Sequence, residues 1–190
     1  MPDVARRSER SRLAILTAAR DLLTEAGYAE LTIEAIAARA GVGKQTIYRW
    51  WPGKGAVILD ALIETAGPAT LPDTGDLRAD LGLVLRAIVA ELADPALSAT
   101  TRALTIETLG NDGLAGQVRD RLLRPQMEAV KERLRAGRAA GQVRDDVDLD
   151  QAVELLIGPP YHRWMLRTGP LTDSYADGVV ELALTAIGPR

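Results

Sequence analysis

Residues 32–54 have the sequence TIEAIAARAGVGKQTIYRWWPGK, which predicts two short helices joined by a tight turn. Thr32 is a good helix N-cap, because its hydroxyl can accept a hydrogen bond from a backbone N–H that the first helical turn leaves free. Ile33 and Ile36 follow at helical spacing. Gly41 then interrupts the pattern. The chain can turn sharply there, since glycine reaches a positive φ that other residues adopt only at a cost.

The second helix is predicted over residues 44–51, and Pro52 ends it because the residue before a proline disfavours the helical region. Ile47 and Trp51 are four residues apart, so both can face inward beside Val42. The opposite side carries cations, an amide and hydroxyls, namely Lys44, Gln45, Thr46, Tyr48 and Arg49. Groups of this kind bind phosphates and the edges of bases.

Two helices joined by a short, glycine-containing turn form the helix-turn-helix arrangement, whose second helix enters the major groove of DNA. An ordinary helical hairpin with a solvated polar face has the same pattern, so spacing alone leaves both interpretations open.

Beyond this motif, the chain carries a dense set of family-typical residues between Ile15 and Leu62: Ala18-Ala19, Leu22-Leu23, Gly27-Tyr28, Thr32-Ile33, Ile36-Ala37, Ala40-Gly41-Val42, Lys44, Thr46-Ile47-Tyr48, Pro52 and Lys54. On these residues the chain resembles the N-terminal DNA-binding domain of the TetR family of transcriptional regulators. It departs from the usual family pattern at Gly43, Trp50, Trp51 and Gly55.

The resemblance implies an all-α homodimer with a three-helix helix-turn-helix domain and a helical C-terminal domain for ligand sensing and dimerisation. It implies a repressor that binds a pseudo-palindromic operator in double-stranded DNA and responds to a small-molecule effector. The residues expected to read base edges are Gln45 and Thr46, with Lys44 and Arg49 as further candidates. The residues expected to hold phosphates are Thr32, Tyr48, Trp50 and Lys54. Lys54 starts a helix, where a lysine opposes the helix dipole and a nearby phosphate would compensate.

Composition limits the function classes. The 190 residues contain 47% hydrophobic residues, no cysteine and one histidine, which excludes thiolate metal sites and cysteine nucleophiles. The chain has no run of about 20 apolar residues and no apolar stretch after its basic N-terminus, so a cytoplasmic protein without a membrane span or secretory signal is expected. Residues 1–54 hold nine Lys/Arg and six Asp/Glu and so carry a net charge of +3. Because the whole chain carries −3, residues 55–190 carry −6. A basic end on an acidic body is typical of a chain with one end facing phosphate.

Residues 67–75, GPATLPDTG, are rich in proline and glycine and predict a linker. We therefore expect a DNA-binding domain over residues 1–66 and an effector-binding and dimerisation domain over residues 76–190. Residues 1–10 are predicted to be a disordered tail. The resemblance suggests that its arginines Arg6, Arg7 and Arg10 lie over the DNA backbone, while a solvated tail is the alternative. The other helices are predicted over residues 8–26, 54–65, 76–92, 96–109, 111–140 with a kink at Pro125, 149–167 and 171–187. Gly27 is predicted to end the first of them, and Asp76 to cap the helix over residues 76–92.

The last two predicted helices, within residues 149–187, carry more apolar residues than one core-facing stripe needs. A second apolar face is typical of a partner-binding surface, and the resemblance implies that these helices form the homodimer interface. Gly158-Pro159-Pro160-Tyr161 is predicted to interrupt the first of them. One TetR subgroup has a similar Gly-Pro and aromatic motif in its C-terminal domain.

Asp146, Asp148 and Asp150 alternate as in a calcium-binding loop. Gln151 stands at the position where such a loop has glycine, and Ile157 at the position of its glutamate, so calcium is rejected and no metal site is expected. Asp148 is predicted instead to cap the following helix, together with Gln151.

No catalytic site and no cofactor are predicted. His162 has no acid or nucleophile partner in view, so a structural role is favoured. Weak candidates for lining an effector pocket are Thr101, Thr105, Tyr161 and Trp164, although the two aromatic residues could equally anchor an interface. A helical small-molecule-binding or scaffold protein with a non-functional DNA head is the main alternative. An enzyme is a third, for which the sequence offers no phosphate loop, metal cluster or paired carboxylates in a recognisable setting.

Overall fold

A computed structural model describes the backbone of residues 2–66 and 71–189 and the side chains of residues 8–64 and 71–189. Every regular element in this part of the chain is helical, which confirms the predicted all-α class. The elements are α1 (Pro2–Glu30), α2 (Ile33–Ala40), α3 (Lys44–Tyr48), α4 (Lys54–Ala66), α5 (Leu77–Ala93), α6 (Pro95–Leu109), α7 (Asp112–Val118), a π-helical turn (Arg119–Leu123), α8 (Arg124–Ala139), α9 (Leu149–Leu166) and α10 (Asp173–Ile187). None of the described helices is long and apolar enough to span a bilayer.

The first helix starts earlier than the sequence pattern predicts. α1 begins at Pro2, so the disordered tail predicted over residues 1–10 is wrong for the backbone from that residue onward. Alanine, arginine and glutamate dominate this segment and are strong helix formers, which explains the extension. The side chains of Arg6 and Arg7, which the resemblance places over the DNA backbone, lie outside the described residues.

α1 is broken near its C-terminal end at Gly27. The backbone there has φ 77° and ψ 174°, a conformation that glycine adopts freely and that strains other residues. This break confirms that Gly27 ends the regular first helix. Tyr28 and Leu31, which follow it, are both buried.

The helices pack into two compact units, the first of which contains Met1–Gly67 and Ala99–Leu122. Its main core is formed by α1, α2, α3 and α4. It contains four fully buried isoleucines, Ile15, Ile36, Ile47 and Ile58. Burial of a side chain of this size contributes about 1.5–3 kcal/mol relative to its exposure. A second cluster joins α4 to α6 and α7 through the buried leucines Leu59, Leu104 and Leu114.

α6 and α7 thus pack in the same unit as the N-terminal helices, although the sequence places them after the linker. The division into separately folding domains over residues 1–66 and 76–190 stays a prediction. Of the predicted linker, residues 67–70 lie outside the described residues, and residues 71–75 are not helical.

The second unit contains Pro68–Ser98 and Leu123–Arg190. Its core joins α5, α8, α9 and α10, and the fully buried members include Leu81, Leu85, Leu134, Val153 and Leu156. α5 begins at its predicted N-cap, since the Asp76 side chain accepts a hydrogen bond from the backbone N–H of Ala79 at 3.1 Å.

A buried ion pair crosses this unit between α5 and α8. Arg133 donates from Nε to the Asp80 carboxylate at 2.7 Å, and both side chains are almost completely buried. Thr74, in the segment before α5, donates to the same carboxylate from its backbone N–H and its hydroxyl. Burial by itself raises the pKa of Asp80, but the hydrogen bonds from Arg133 and Thr74 outweigh it and hold that pKa below its usual value.

The segment predicted as one helix over residues 111–140 consists of α7, the π-helical turn and α8. The turn lies directly before Pro125, which confirms a disturbance at the predicted place. Proline has no N–H, and its ring collides with the carbonyl four residues earlier, here that of Arg121. The widened π-helical turn accommodates both effects.

α9 runs without interruption from Leu149 to Leu166 and contains Pro159 and Pro160 in its interior. The predicted interruption at residues 158–161 is therefore wrong. Residues before the prolines lie in the core of the second unit and Trp164 is buried after them, and such packing outweighs local propensity. The predicted cap is confirmed, because the Asp148 carboxylate accepts from the backbone N–H groups of Asp150 and Gln151.

Candidate nucleic-acid interface

α2 and α3 form the predicted helix pair with a glycine turn. The Thr32 hydroxyl accepts from the backbone N–H of Ala35 at 3.1 Å, which confirms the predicted N-cap. Gly41 ends α2 with φ 65°, a left-handed conformation that lets the chain reverse within three residues. Gly43 precedes α3 and offers no side chain to cap it.

The second helix is shorter than predicted. α3 ends at Tyr48, and Arg49 and Trp50 form a turn rather than continuing the helix to residue 51. In that turn the backbone N–H groups of Trp50 and Trp51 both donate to the carbonyl of Ile47, at 2.9 and 3.0 Å. The helical hydrogen bonds thus tighten before Pro52, which could not have supplied another donor.

The two faces of α3 differ in the way predicted. Ile47 and Trp51 are buried under the helix. The outer side chains form a continuous polar and aromatic surface, which we call the reading face: Lys44, Gln45, Thr46, Tyr48, Arg49 and Trp50. All of them are exposed except Thr46, which is half-buried, and Tyr48 and Trp50 expose 54% and 42% of their surface. A surface with cations, an amide, hydroxyls and aromatic rings suits a nucleic acid.

The two cations of the reading face are not equally available. The Lys44 ammonium donates to the Glu34 carboxylate of α2 at 3.0 Å. This hydrogen bond lowers the pKa of Glu34 and raises that of Lys44, so both groups stay charged at neutral pH. The Arg49 guanidinium has no hydrogen-bond or ion-pair partner among the residues that the structure describes. Arg49 can therefore meet a phosphate directly, whereas Lys44 must first leave Glu34.

Lys54, predicted to hold a phosphate, has partners within the protein. Its ammonium donates to the backbone carbonyl of Tyr28 at 3.2 Å and lies 4.6 Å from the centre of the Tyr28 ring. The side chain is half-buried. Lys54 therefore ties the start of α4 to the end of α1, and contact with a phosphate requires it to share or leave that carbonyl.

The buried side of the helix pair contains polar contacts that sequence reasoning missed. The Trp51 indole N–H donates to one carboxylate oxygen of Asp60 on α4, at 2.8 Å. The other Asp60 oxygen lies 2.7 Å from a guanidinium nitrogen of Arg121 in the π-helical turn. No sequence signal links these residues, because Trp51 follows α3, Asp60 lies in α4, and Arg121 lies about sixty residues further along the chain.

The candidate effector residues fall into two pairs. In the first unit, the Thr105 hydroxyl donates to the backbone carbonyl of Thr101 at 2.7 Å, so its donor is engaged within α6. In the second unit, the Tyr161 and Trp164 rings meet edge to face with their centres 5.9 Å apart. Trp164 is buried and donates from its indole N–H to the Ser98 hydroxyl at 2.6 Å. Burial raises the pKa of Tyr161, and the charge of Glu91 raises it further.

The second unit also has an open surface depression of about 290 Å³ between α5 and α10. Its charged rim is paired internally, because Arg78 forms an ion pair with Glu181 and Arg86 with Asp177. None of the four effector candidates lines it.

α9 and α10 expose three large leucines, Leu155, Leu166 and Leu182, and Leu182 exposes 74% of its surface. They lie on the opposite side of these helices from the buried core residues such as Val153 and Val180. The sequence-based expectation of a second apolar face on the last two helices is thus matched by exposed apolar side chains.

Comparison with known proteins gives the family. Residues 15–61 match the family of bacterial regulatory proteins, tetR family, and residues 71–183 match the tetracyclin repressor-like C-terminal domain. YdeS of Bacillus subtilis (strain 168), an uncharacterized HTH-type transcriptional regulator, is 34% identical over 188 residues, which cover 95% of this chain and 91% of YdeS. The DNA-binding transcriptional repressor TetR of Mycobacteroides abscessus is 29% identical over 184 residues, 95% of each chain.

The crystal structure of the TetR family transcription regulator SCO0332 is 34% identical to this chain, with a TM-score of 0.81. The match covers 94% of this chain and 99% of that one. These relatives are transcriptional regulators and not enzymes, which confirms the predicted class and sets the enzyme alternative aside. The roles of individual residues on the reading face stay predictions. The chain belongs to the TetR family of DNA-binding transcriptional regulators.

Proposed function

We propose that the protein is a ligand-responsive repressor, acting in the bacterial cytoplasm, that binds a pseudo-palindromic operator as a homodimer. The observation that carries this proposal is the reading face. Its polar side chains project from a short helix whose other face is anchored by Ile47 and Trp51. A helix held in this way can enter the major groove without rearranging the core behind it.

Within the reading face, Gln45 and Thr46 take the role of reading bases. A glutamine amide can pair with adenine through two hydrogen bonds, and a threonine can donate, accept or contact a thymine methyl. Arg49 and Lys44 lie beside them and bind phosphates or guanine. The DNA backbone on either side is held by four further residues, Thr32, Tyr48, Trp50 and Lys54. The Thr32 hydroxyl accepts from Ala35, so its own O–H remains available to a phosphate oxygen.

The second copy of the chain is proposed to pack on α9 and α10. The support is the exposed set of Leu155, Leu166 and Leu182, since leucines this exposed on two neighbouring helices are unfavourable in water. A stable dimer buries at least about 1,000 Å² in total, which two helices from each protomer can supply. The two helix-turn-helix domains of a symmetric dimer would read two half-sites. These half-sites would be separated by about one turn of DNA, or by a small multiple of one turn.

The effector is proposed to bind within one of the two units, beside Thr101 and Thr105 in the first or beside Tyr161 and Trp164 in the second. A small molecule regulates the protein only if it binds one state of the dimer more tightly than the other. A preference of about 1–3 kcal/mol is sufficient to change operator affinity measurably. The state that it favours would hold the two heads at a spacing that does not fit both half-sites.

The test is a selection of DNA fragments by the purified full-length protein, followed by fluorescence anisotropy on the selected duplex and a scrambled duplex over a salt series. We expect a motif with two-fold symmetry, bound far more tightly than the scrambled duplex and with a steep salt dependence. Gln45→Ala should weaken the selected duplex more than the scrambled one, whereas a phosphate-contact variant should weaken both. Recovery of no motif, with weak and equal binding to every duplex, would favour a scaffold or ligand-binding protein whose DNA head does not function.

A further inference from the structure

A chain of three side chains leads from the end of the recognition helix α3 to the π-helical turn. Trp51 is 4% exposed, and its indole N–H donates to one oxygen of the Asp60 carboxylate at 2.8 Å. The second oxygen lies 2.7 Å from Nη1 of Arg121. All three residues belong to the first compact unit, although Arg121 follows Asp60 by about sixty residues in the sequence.

The Asp60 oxygen that faces Arg121 depends on the positive charge of that arginine. This oxygen is shielded from solvent and has no hydrogen-bond partner within the described part of the chain, because the guanidinium N–H is close but not aligned with it. A buried carboxylate oxygen without compensation is costly, so the positive charge of Arg121 stabilises Asp60 where it is. The Asp60 side chain is only 17% exposed, so water cannot easily replace the arginine.

α3 needs such support from outside. It has five residues, and a helix of that length has no stability of its own in water. Its lower side is held by Ile47 and Trp51, and Gly43, which precedes its first residue, provides no side-chain cap. The orientation of the Trp51 ring therefore contributes directly to the orientation of the reading face.

We infer that Arg121 is a positioning residue for DNA reading, which acts through Asp60 and Trp51 on the C-terminal end of α3. The inference rests on the proposed reading face and extends the functional DNA-reading unit beyond residues 1–66 to the segment Ala99–Leu122. Arg121 itself is not expected to contact DNA. Its loss leaves Asp60 with an uncompensated charge, and the carboxylate then turns toward water and releases the Trp51 indole.

The test compares Arg121→Gln with Arg119→Gln in the full-length protein. Arg119 lies in the same π-helical turn, is 64% exposed and pairs with the neighbouring Asp120, so its substitution removes the same charge without touching Asp60. Affinity is measured by anisotropy for the selected duplex and for a scrambled duplex over a salt series. Arg121→Gln should lower affinity for the selected duplex about tenfold, the size expected for a charge-assisted contact, while Arg119→Gln stays within about twofold.

Three further readouts separate positioning from a direct phosphate contact or from loss of fold. The slope of log affinity against log salt should be the same in Arg121→Gln and the unaltered protein, because no phosphate contact is removed. In the Asp60→Asn background, which keeps an oxygen for Trp51 and removes the charge, Arg121→Gln should have no further effect. The Arg121→Gln protein should also show red-shifted tryptophan emission with an unchanged helical circular-dichroism spectrum.

Equal affinities of Arg121→Gln and Arg119→Gln would overturn the inference, and so would additive effects of the Asp60 and Arg121 substitutions. A reduced salt slope would assign Arg121 to a phosphate contact instead. If Arg121→Gln does not fold, Arg121→Lys keeps the charge and serves as the second variant, with a smaller loss of affinity expected because lysine lacks the guanidinium geometry. Failure of the unaltered protein to bind any duplex would instead refute the proposed function, and the inference with it.

Discussion

Replacing Glu34 with glutamine is expected to strengthen DNA binding by releasing Lys44. In the free protein the Lys44 ammonium lies 3.0 Å from a Glu34 carboxylate oxygen, so it reaches a phosphate only by exchanging one anion for another. Both side chains are more than half exposed, and water and salt weaken such a pair enough for the exchange to occur. Glu34→Gln keeps the size of the side chain and removes the competing charge.

Counterion release sets the size of the effect. Each phosphate that a protein neutralises adds about 0.9 to the slope of log affinity against log salt. Glu34→Gln removes the carboxylate that offsets the charge of Lys44, so it adds up to one neutralised phosphate and steepens that slope by up to about 0.9. Between about 50 and 200 mM salt, this change corresponds to a further loss of affinity of about 3.5-fold, which a titration series resolves.

The matched control is Glu25→Gln, which changes the net charge by the same single unit. Glu25 forms a two-point ion pair with Arg39, which is in the last turn of α2 and outside the reading face. The assay is anisotropy with the selected and scrambled duplexes over a salt series. Glu34→Gln should strengthen binding to both duplexes alike, because phosphate contacts carry no sequence information. Equal affinities and slopes for the two variants would show that Lys44 does not approach a phosphate.

Three further outcomes are expected from the packing and charges of the second unit and the exposed leucines. Gly137→Ala should destabilise the protein by about 1–3 kcal/mol in urea unfolding, because a Cβ there would lie 2.9 Å from a leucine methyl of α5. Gly158→Ala, where a Cβ meets nothing within 4 Å, should instead be neutral or stabilise by up to about 1 kcal/mol. The folded-state pKa of Asp80 is lowered, so the Asp80 carboxylate stabilises the protein at pH values above its unfolded-state pKa. This stabilisation is lost as the pH falls through the folded-state pKa of Asp80. Asp80→Asn should therefore lower the melting temperature at pH 7 and do so less at pH 3, and an equal effect at both would contradict this assignment. Leu182→Glu should convert the proposed homodimer to monomers in sedimentation velocity, whereas the same substitution at Leu109, a leucine of α6 that is at least as exposed, should not.

Features that depend on a few neighbouring residues could be predicted from the sequence. The N-caps Thr32, Asp76 and Asp148 all act on backbone groups two or three residues away, and each is observed. The inward side of the recognition helix follows from the spacing of Ile47 and Trp51 alone. The resemblance to a family supplied the arrangement of these pieces, which local chemistry could not.

The predictions that failed concern segments whose structure depends on distant packing. The prolines of α9 favour an interruption locally, but the helix is continuous, with Val153 and Leu156 buried before them and Trp164 buried after them. The same limit applies to segment Ala99–Leu122, which packs in the first unit, while its place in the C-terminal domain stays a prediction. Its apolar residues have the same helical spacing whichever unit they pack in, so periodicity cannot identify their partners.

The net charge of residues 1–54 does not show which of their cations are available to bind phosphate. Residues 1–54 carry a net +3, which favours DNA binding, yet that count treats all cations as equivalent. In the structure Lys44 lies on Glu34, Arg39 on Glu25, and Lys54 on the Tyr28 carbonyl, while Arg49 has no such partner among the described residues. We therefore expect binding to phosphate to be an exchange at Lys44 and Lys54 and a gain at Arg49. We expect affinity to depend as much on the Glu34 carboxylate that holds Lys44 as on Lys44 itself, so that substitutions at Glu34 are as informative about the interface as substitutions at Lys44.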